Sequence, residues 1–308
     1  MFVNVPGVTR RYGAIEAGGT KFVCAIGSGP DDVAAGERFP TLQPTETIEA
    51  VIDFFAAEVR DGGELDGIGI SSFGPVELRP SHPQYGHITT TTKAGWEDTD
   101  LAGPVERALG APVGFDTDVN GAALGEGRWG AAQGLDTFVY MTIGTGIGVG
   151  AVVGGNVAHG LVHPEMGHVI VRRRPGDEYQ GACPFHRDCL EGMASGPTLE
   201  ARFGQPGEDL AGSDGDEAVA LIAWYVADGL RTIVYTLAPQ RIVIGGGVAE
   251  MPGLLPAIRS RLVEILGGYP GLPEHARDDF VVATALDGLA GTYGAFVLAE
   301  RAAGFPAT

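Results

Sequence analysis

The sequence is poor in positive charge. Its 308 residues contain 20 Lys and Arg against 39 Asp and Glu, which gives a formal net charge of −19. This balance argues against a nucleic-acid-binding protein, which needs a basic surface, and against docking on anionic lipid. It does not exclude a phosphorylated ligand, because backbone amides and bound metal ions can hold phosphate inside an acidic protein.

Cysteine and long apolar runs are also scarce. The three cysteines are Cys24, Cys183 and Cys189, and the first residues lack the basic-then-apolar pattern of a signal peptide. Three thiols cannot pair completely, so we expect a cytoplasmic protein. The one long uncharged run, 137–155, contains six glycines among Val, Ile and Thr. That pattern predicts strand, turn and strand, and we expect no membrane partner.

Glycine, by contrast, is abundant, with 50 residues. A chain of this length predicts two domains. Two short apolar runs joined by a glycine turn near residue 18 are followed by alternating helical and strand patterns, and the same order returns after residue 138. This repetition predicts a duplicated α/β fold with a cleft between its halves.

Three glycine clusters each follow a strand-like run. They are Gly18-Gly19-Thr20-Lys21, Gly144-Thr145-Gly146 and Gly245-Gly246-Gly247. Glycine lets backbone N–H groups approach phosphate oxygens, and threonine hydroxyls can also donate. None matches a P-loop, and the first two open hairpins, unlike a dinucleotide-binding turn. One such cluster is more often a simple tight turn, but two at matching places in two halves indicate a pair of clamps on one polyphosphate.

A Cys/His cluster follows the second hairpin. His168, Cys183, His186 and Cys189 are separated by 15, 3 and 3 positions. Two thiolates and two imidazoles are typical of a closed structural zinc site. The alternatives are a disulfide between Cys183 and Cys189, which a reducing compartment disfavours, and an unliganded loop.

The glycine turns resemble a known superfamily. Residues 15–21 and 142–150 are similar to the two phosphate motifs of the sugar kinases and actin. The stretches 88–96 (ITTTTKAGW), 116–126 (DTDVNGAALGE) and His163-Pro-Glu-Met-Gly-His168, with Cys183–Glu191 after it, resemble the ROK family of repressors, open reading frames and kinases. Within that family they are similar to the bacterial fructokinases, over residues 12–299. The repressors carry an N-terminal DNA-binding domain, which eleven residues before the first strand do not accommodate.

The resemblance implies an α/β fold of two actin-like (ribonuclease H-like) lobes with a cleft between them. Residues 1–117 would form the small lobe, with the helix at 288–308 packing back on it, and residues 118–287 the large lobe with the zinc motif. The implied protein is a homodimeric, ATP-dependent hexose kinase that uses Mg²⁺ and structural Zn²⁺, with fructose as the expected acceptor. Alternatives are a manno-, gluco- or N-acylhexosamine kinase and a sugar-sensing protein without turnover.

The resemblance also implies residue roles. Asp118 would be the general base, although an aspartate there is also a common helix N-cap. Asp116 would be structural or a partner of the base. Glu16 would assist Mg²⁺, and Lys21 would either add charge at the phosphates or lie on a strand surface. The hexose-binding residues would be Gly74, Pro75, Asp118, Glu165, His168 and Glu191. The ATP-binding residues would be Gly18, Gly19, Thr20, Lys21, Gly144, Thr145, Gly146, Gly245, Gly246 and Gly247, and the zinc ligands His168, Cys183, His186 and Cys189.

Three positions depart from the usual ROK pattern. Glu16 replaces Asp, as in the fructokinase branch, and Thr117 replaces the Asn of the hexokinase-like members. His186 stands for one of three usual cysteines. The Thr117 substitution removes one expected sugar contact, so a preference for glucose does not follow from the family.

Overall fold

The computed structural model describes residues 10–305. The first half of the chain forms, in order, β1 (Tyr12–Ala17), β2 (Lys21–Gly29), β3 (Asp32–Pro40), α1 (Pro44–Gly62), β4 (Gly67–Ser72), β5 (His87–Ile88), β6 (Thr99–Asp100), α2 (Ala102–Leu109), β7 (Val113–Thr117) and α3 (Asp118–Trp129). The second half forms β8 (Phe138–Ile143), β9 (Ile147–Val153), β10 (Asn156–Val157), α4 (Leu190–Ala194), α5 (Gly196–Phe203), α6 (Gly212–Leu237), β11 (Arg241–Gly245), α7 (Leu254–Leu266), β12 (Val281–Ala283) and α8 (Ala290–Ala302). Short 3-10 helices lie at Met166–His168, Gly207–Asp209, Gly247–Glu250 and Pro273–Ala276.

Hydrophobic patterning explains the main elements. Strands β1 and β4 are apolar and buried at nearly every position, as expected for sheet strands covered on both faces. Helix α1 buries Ile48, Val51 and Phe55 on one side and ends at Gly63, which has φ of 91°. The glycine at the end of the helix thus provides a positive φ, which glycine adopts without strain.

Two five-stranded sheets share one topology. Their orders are β3-β2-β1-β4-β7 and β10-β9-β8-β11-β12. In each, the first hairpin is antiparallel, and its first strand then pairs in parallel with a later strand, β1 with β4 and β8 with β11. The predicted duplication of a hairpin followed by alternating helices and strands is confirmed.

The described chain divides into two compact units. One contains residues 10–130, His159–His163 and 289–305, and the other contains Ala131–Ala158 and Pro164–Gly288. The first unit thus extends beyond the predicted boundary after Thr117, because α3 packs against α8. Helix α8 returns to the first unit, where it also packs on β4 and β1.

Glycine makes the packing around α8 close. A Cβ on Gly69 of β4 would lie 1.7 Å from the carbonyl oxygen of Ala295, and one on Gly294 would lie 1.7 Å from that of Gly121. No other residue fits at these contacts. The close packing fixes α3, and with it the start of that helix at Asp118, against the rest of the unit.

The apolar segments are accounted for by the cores of the two units. The uncharged run 137–155 forms the β8–β9 hairpin, as predicted. Among the described residues, α6 has the length and mean hydropathy, 1.3, of a membrane span, but 67% of that window is buried. Leu221, Ile222 and Val226 of this helix belong to the core of the second unit, so α6 is a core helix.

Candidate functional site

The first glycine turn is held by hydrogen bonds at its base, and its tip is exposed. The Gly18 N–H donates to the carbonyl oxygen of Lys21 at 3.0 Å and closes the turn between β1 and β2. Thr41 holds the same turn, since its Oγ1 donates to the Gly18 carbonyl oxygen at 2.7 Å and its N–H to that of Thr20 at 2.9 Å. Gly19, Thr20 and Lys21 remain exposed. This geometry suits a turn that presents N–H and hydroxyl groups to an anion.

Glu16, at the end of β1, faces the start of α8. Its Oε2 accepts a hydrogen bond of 2.6 Å from the Thr292 hydroxyl, and Gly291 leaves room for the carboxyl group. Burial raises the pKa of Glu16, while the bonds from Thr292 and the charge of Lys21 oppose that rise. Glu16 therefore stabilises the N-terminus of α8, in addition to any role toward Mg²⁺.

The start of α3 distinguishes between the two roles considered for Asp118, general base and helix N-cap. The N-cap of α3 is Thr117, whose Oγ1 accepts a hydrogen bond of 3.1 Å from the Asn120 N–H. Asp118 is the first helical residue, and its Oδ1 accepts from the N–H of Val119 at 2.8 Å. The alternative that Asp118 serves only as the N-cap is thus wrong. Its half-buried carboxylate lies directly after the carboxyl end of the parallel strand β7, where α/β sheets place ligands.

Asp116 is buried beside this turn and is only 3% exposed. Its Oδ1 accepts from the Thr117 N–H at 2.8 Å and from Asn120 Nδ2 at 2.7 Å. Its Oδ2 lies 2.9 Å from Nε2 of His159. His159 could not be predicted from the sequence, because the histidine lies far along the chain and has no motif spacing to Asp116.

The turn at Gly74-Pro75, which contains a cis peptide bond, carries the stretch 88–96 on one side. The Thr89 N–H donates to the Pro75 carbonyl oxygen at 2.8 Å, and Val76 bridges to Ile88. On the other side, the Val76 N–H donates to Nε2 of the buried His163 at 3.1 Å. The start of the stretch 88–96 is therefore packed next to Gly74 and Pro75.

Trp96 and Lys93, which had no predicted roles, differ in surroundings. Trp96 is fully buried, packs its ring on Phe22 and Phe73 at centroid distances of 5.5 Å, and donates its indole N–H to the Leu42 carbonyl oxygen at 2.9 Å. Lys93 instead lines a shallow cavity of about 340 Å³ with Thr41, Gln43 and Glu46. Trp96 is thus a core residue that joins β2, the segment after β3 and the residue before the turn at Gly74.

The second glycine turn, in the other unit, is held by a carboxylate. The Gly144 N–H donates to the Gly146 carbonyl oxygen at 2.9 Å, and Thr145 is exposed. Oε2 of Glu191 accepts from the Ile147 N–H at 3.1 Å, and the Gly196 N–H donates to the Gly144 carbonyl oxygen at 2.7 Å. A Cβ on Gly146 would lie 2.7 Å from that Glu191 oxygen, so a larger residue there would displace the carboxylate.

The third cluster ends β11 beside the same turn. Gly246 has φ of 91°, and a Cβ there would lie 2.5 Å from the Ile143 carbonyl oxygen. Gly245 packs against Tyr140, and Gly247 begins a 3-10 helix. Each glycine cluster therefore follows a strand, as predicted, and the second and third lie together in one unit.

The four predicted metal ligands converge. The ligand atoms of His168, Cys183, His186 and Cys189 all lie within 4.8 Å of one another. Nδ1 of His168 is 3.5 Å from Cys189 Sγ and 3.7 Å from Cys183 Sγ, and Cys183 Sγ is 3.8 Å from Nδ1 of His186. Tetrahedral zinc with ordinary bond lengths requires S···N separations of about 3.6 Å. The donor set and its spacing fit zinc, and both cysteines are free thiols, not a disulfide.

Two glutamates flank this cluster. Oε2 of Glu165 lies 3.9 Å from Nε2 of His168, and Oε1 of Glu191 lies 4.0 Å from Nδ1. Burial, with the neighbouring charge of Glu191, raises the pKa of Glu165 to about 6. His168 thus turns Nδ1 toward the sulfur atoms and leaves Nε2 on the side of Glu165.

The structure therefore gathers the predicted residues into two groups, one in each unit. The first group contains the turn at Gly18, Glu16, Asp118 with Asp116, and the turn at Gly74-Pro75. The second contains the turns at Gly144 and Gly245, the Cys/His cluster, Glu165 and Glu191.

Comparisons with known proteins show the family of the chain. The model of the ROK family matches residues 12–302. A protein of Bacillus subtilis, whose name gives fructokinase as its inferred activity, is 46% identical over 292 residues, which cover 94% of this chain and 95% of the relative. The fructokinase of Zymomonas mobilis is 42% identical over 296 residues, covering 94% and 97%.

A solved structure agrees in fold. The ROK hexokinase of Thermus thermophilus superposes with a TM-score of 0.77 at 28% identity, covering 94% of this chain and 98% of the hexokinase. The predicted α/β fold of the actin-like type is confirmed. The chain belongs to the ROK family, and its predicted place among the relatives of the bacterial fructokinases is confirmed.

Proposed function

We propose that the protein is an ATP-dependent fructokinase, which transfers the γ-phosphoryl group of ATP to O6 of D-fructose. The observation that carries the proposal is the place of Asp118, the first residue of α3, directly after the carboxyl end of β7 in a chain 42% identical to a fructokinase. Phosphoryl transfer requires positioning, charge neutralisation and a base, and little covalent chemistry from the protein.

Asp118 is the proposed base. A carboxylate within hydrogen-bonding distance of a sugar hydroxyl can remove its proton as the oxygen attacks phosphorus, and such a base is worth about 10²–10⁴ in rate. Thr117 supports this role, because its hydroxyl satisfies the Asn120 N–H that the aspartate would otherwise cap. Asp116 and Asn120 hold the backbone of the same turn.

The glycine turns are the proposed ATP-binding elements. Gly18, Gly19, Thr20 and Gly144, Thr145, Gly146 would donate N–H and hydroxyl groups to the phosphate oxygens, with Lys21 adding positive charge. Gly245, Gly246 and Gly247 would line the adenosine side. Mg²⁺ bound with ATP would neutralise phosphate charge, and Glu16 is the carboxylate of the first unit that would assist it.

Each unit contains proposed hexose-binding residues. Gly74 and Pro75 would shape the pocket, and Glu165, His168 and Glu191 would accept from or donate to sugar hydroxyls. Support comes from His168, whose Nε2 is turned away from the sulfur atoms and is therefore available to a ligand. Glu191 would orient the sugar with one oxygen while the other holds the turn at Gly144.

Zinc would be held by His168, Cys183, His186 and Cys189. Four protein ligands fill a tetrahedral site, so the ion would serve as a structural crosslink and not as a Lewis acid for the reaction. The crosslink would hold the loop between Met166 and Leu190, and with it Glu165 and Glu191. The cluster thus has a role in positioning the proposed sugar ligands.

The family resemblance also suggests a location, an oligomeric state and a set of partners. We propose a cytoplasmic homodimer that binds hexose and ATP and has neither nucleic acid nor membrane as a partner. The acidic net charge supports the exclusion of nucleic acid. Light scattering of the purified protein would give a mass near twice that of one chain if the dimer is correct.

The test is ADP release with Mg-ATP across fructose, mannose, glucose and N-acetylhexosamines, with a control that contains no sugar. We expect the highest kcat/KM with fructose. A preference for another hexose would contradict the fructose assignment and retain the kinase. An absence of sugar-dependent ADP from folded, zinc-containing protein would contradict the kinase itself and favour a sugar-sensing protein.

A further inference from the structure

The segment His159–His163 belongs to the first unit, although the residues on both sides of it belong to the second. A histidine anchors each end. His159 pairs with Asp116, and His163 accepts the Val76 N–H next to Gly74-Pro75. The segment therefore touches the two turns that carry the proposed base and the proposed sugar wall.

The bond between His159 and Asp116 has a defined direction. Nε2 of His159 lies 2.9 Å from Oδ2 of Asp116, so this nitrogen carries the proton and donates. It lies 3.5 Å from Nδ2 of Asn120, which is itself a donor and already bonds Asp116 Oδ1 at 2.7 Å. His159 and Asn120 thus hold opposite oxygens of one buried carboxylate.

Asp116 depends on these partners. Its remaining hydrogen bond comes from the N–H of Thr117. Thr117 is the residue that caps α3 and immediately precedes Asp118. A buried carboxylate that loses a partner must move, recruit water or bind a proton. Any of these changes would shift the Thr117 backbone and the Asn120 amide, and through them the carboxylate of Asp118.

We propose that His159 is a positioning residue for the base: it fixes Asp116, and Asp116 fixes the turn from Thr117 to Asn120 that presents Asp118. This inference rests on the proposed kinase function and adds a residue to it. His159 itself does not touch the reacting atoms in this account. A misplacement of about 1 Å in a reacting group can cost about a hundredfold in rate, so the effect is large enough to measure.

The charges around the pair support a protonated His159. The hydrogen bond that His159 donates to Asp116 is the main cause that raises the pKa of His159, and partial burial and the charge of Arg301 of α8 oppose it. Arg301 also faces Asp116, and burial lowers the pKa of Arg301. Tyr85 faces Asp116 from another side, and its pKa is raised chiefly by burial. His159 is therefore the group near Asp116 whose charge changes around neutral pH.

The experiment compares His159→Leu with His159→Gln in the full-length, zinc-containing enzyme. The leucine leaves Asp116 Oδ2 without its donor, and we expect kcat with fructose to fall about tenfold or more while KM for ATP changes less than about twofold. The glutamine restores a neutral N–H donor, and we expect it to recover most of kcat. The His82→Leu variant is the matched control, since His82 lies 3.5 Å from Glu77, another buried carboxylate of this unit.

A pH profile separates positioning from a general loss of fold. As pH rises through the folded-state pKa of His159, kcat of the wild type should decline toward that of His159→Gln, because a charge-assisted hydrogen bond to Asp116 is stronger than the neutral one that remains. The His159→Gln variant, whose donor does not titrate, should show no such decline. This comparison remains decisive if His159→Leu does not fold. Wild-type kcat in His159→Leu, or an unchanged pH profile in His159→Gln, would overturn the proposal. Failure of the wild type to phosphorylate any sugar would instead overturn the proposed function.

Discussion

The two glycine turns occupy the same place in two sheets of the same topology, yet they are held differently. The turn at Gly18 is anchored by the hydroxyl and N–H of Thr41, which follows β3. The turn at Gly144 is anchored by Glu191, which follows the Cys/His cluster. In the first sheet the edge strand β3 has nine residues, whereas its counterpart β10 has two. The second unit thus has a much shorter edge strand, and the Cys/His cluster lies in the chain that follows it.

This difference indicates that the two units share a duplicated fold but carry different functional groups. The shared fold places a glycine turn after the first strand of each sheet. The proposed base lies in the first unit, and the proposed metal site, with Glu191 beside it, lies in the second. Substitutions in the two units should therefore produce different kinetic defects, and the following predictions proceed from the largest effect to the smallest.

Replacement of the base should have the largest effect. Asp118→Asn keeps the shape of the side chain but removes its ability to accept a proton, so we expect kcat to fall about 10²- to 10⁴-fold. Fructose affinity, measured by calorimetry, should change little. Asp53→Asn, an exposed position of α1, is the matched control. Near-normal turnover in Asp118→Asn would remove Asp118 from the mechanism.

Loss of the metal should affect the second unit. Metal analysis should find one zinc per chain in the wild type and none in a Cys183→Ser, Cys189→Ser double variant. Because the ion would hold the loop that ends at Glu191, we expect KM for fructose and ATP to rise about tenfold or more and Tm to fall. Cys24→Ala, a buried core cysteine of β2, should retain its zinc. A wild type without bound metal contradicts the zinc assignment.

The two anchors can then be compared directly. Thr41→Val removes the hydrogen bond to Gly18, and Glu191→Ala removes that to Ile147. One such bond is worth about 0.5–1.5 kcal/mol, so each variant should raise KM for ATP about two- to tenfold. Glu191→Ala should also raise KM for fructose, whereas Thr41→Val should not. Equal effects on both substrates in the two variants would contradict the division between the units.

The smallest expected effect is on stability. The pKa of His159 is raised in the folded protein by Asp116, so its stabilising contribution is present below about pH 6.5, the value for a free histidine, and is lost as pH rises through the folded-state value. The histidine is partly exposed, which limits the contribution to about 1 kcal/mol or less. Tm should therefore fall slightly more on the alkaline side in the wild type than in His159→Gln. A larger fall in the variant would contradict the assigned ion pair.

Local signals predicted much of this molecule. Short apolar runs joined by glycine turns predicted the two hairpins, and the spacing of four residues predicted the Cys/His cluster. Each of these depends on residues that are neighbours in the chain or in one short motif. The repeated order of elements extended the prediction to the sheet topology.

Contacts between residues far apart in the chain could not be predicted from the sequence. Asp118 could not be separated from an N-cap by sequence, because Thr117 and Asp118 are both good caps and only the backbone decides between them. Thr41 and His159 lie far along the chain from the turns they hold. The predicted boundary after Thr117 follows the chain order, whereas the glycine-mediated packing of α3 on α8 places α3 in the first unit.

The most direct test of the account is the identity of the product. Phosphorus NMR of a reaction with Mg-ATP and fructose should show a hexose phosphate with phosphorus on O6, formed in equal amounts with ADP. Asp118→Asn, at the same concentration, should form almost none. Phosphorus on O1, or release of inorganic phosphate alone, would contradict the claim that Asp118 activates the sixth hydroxyl of fructose.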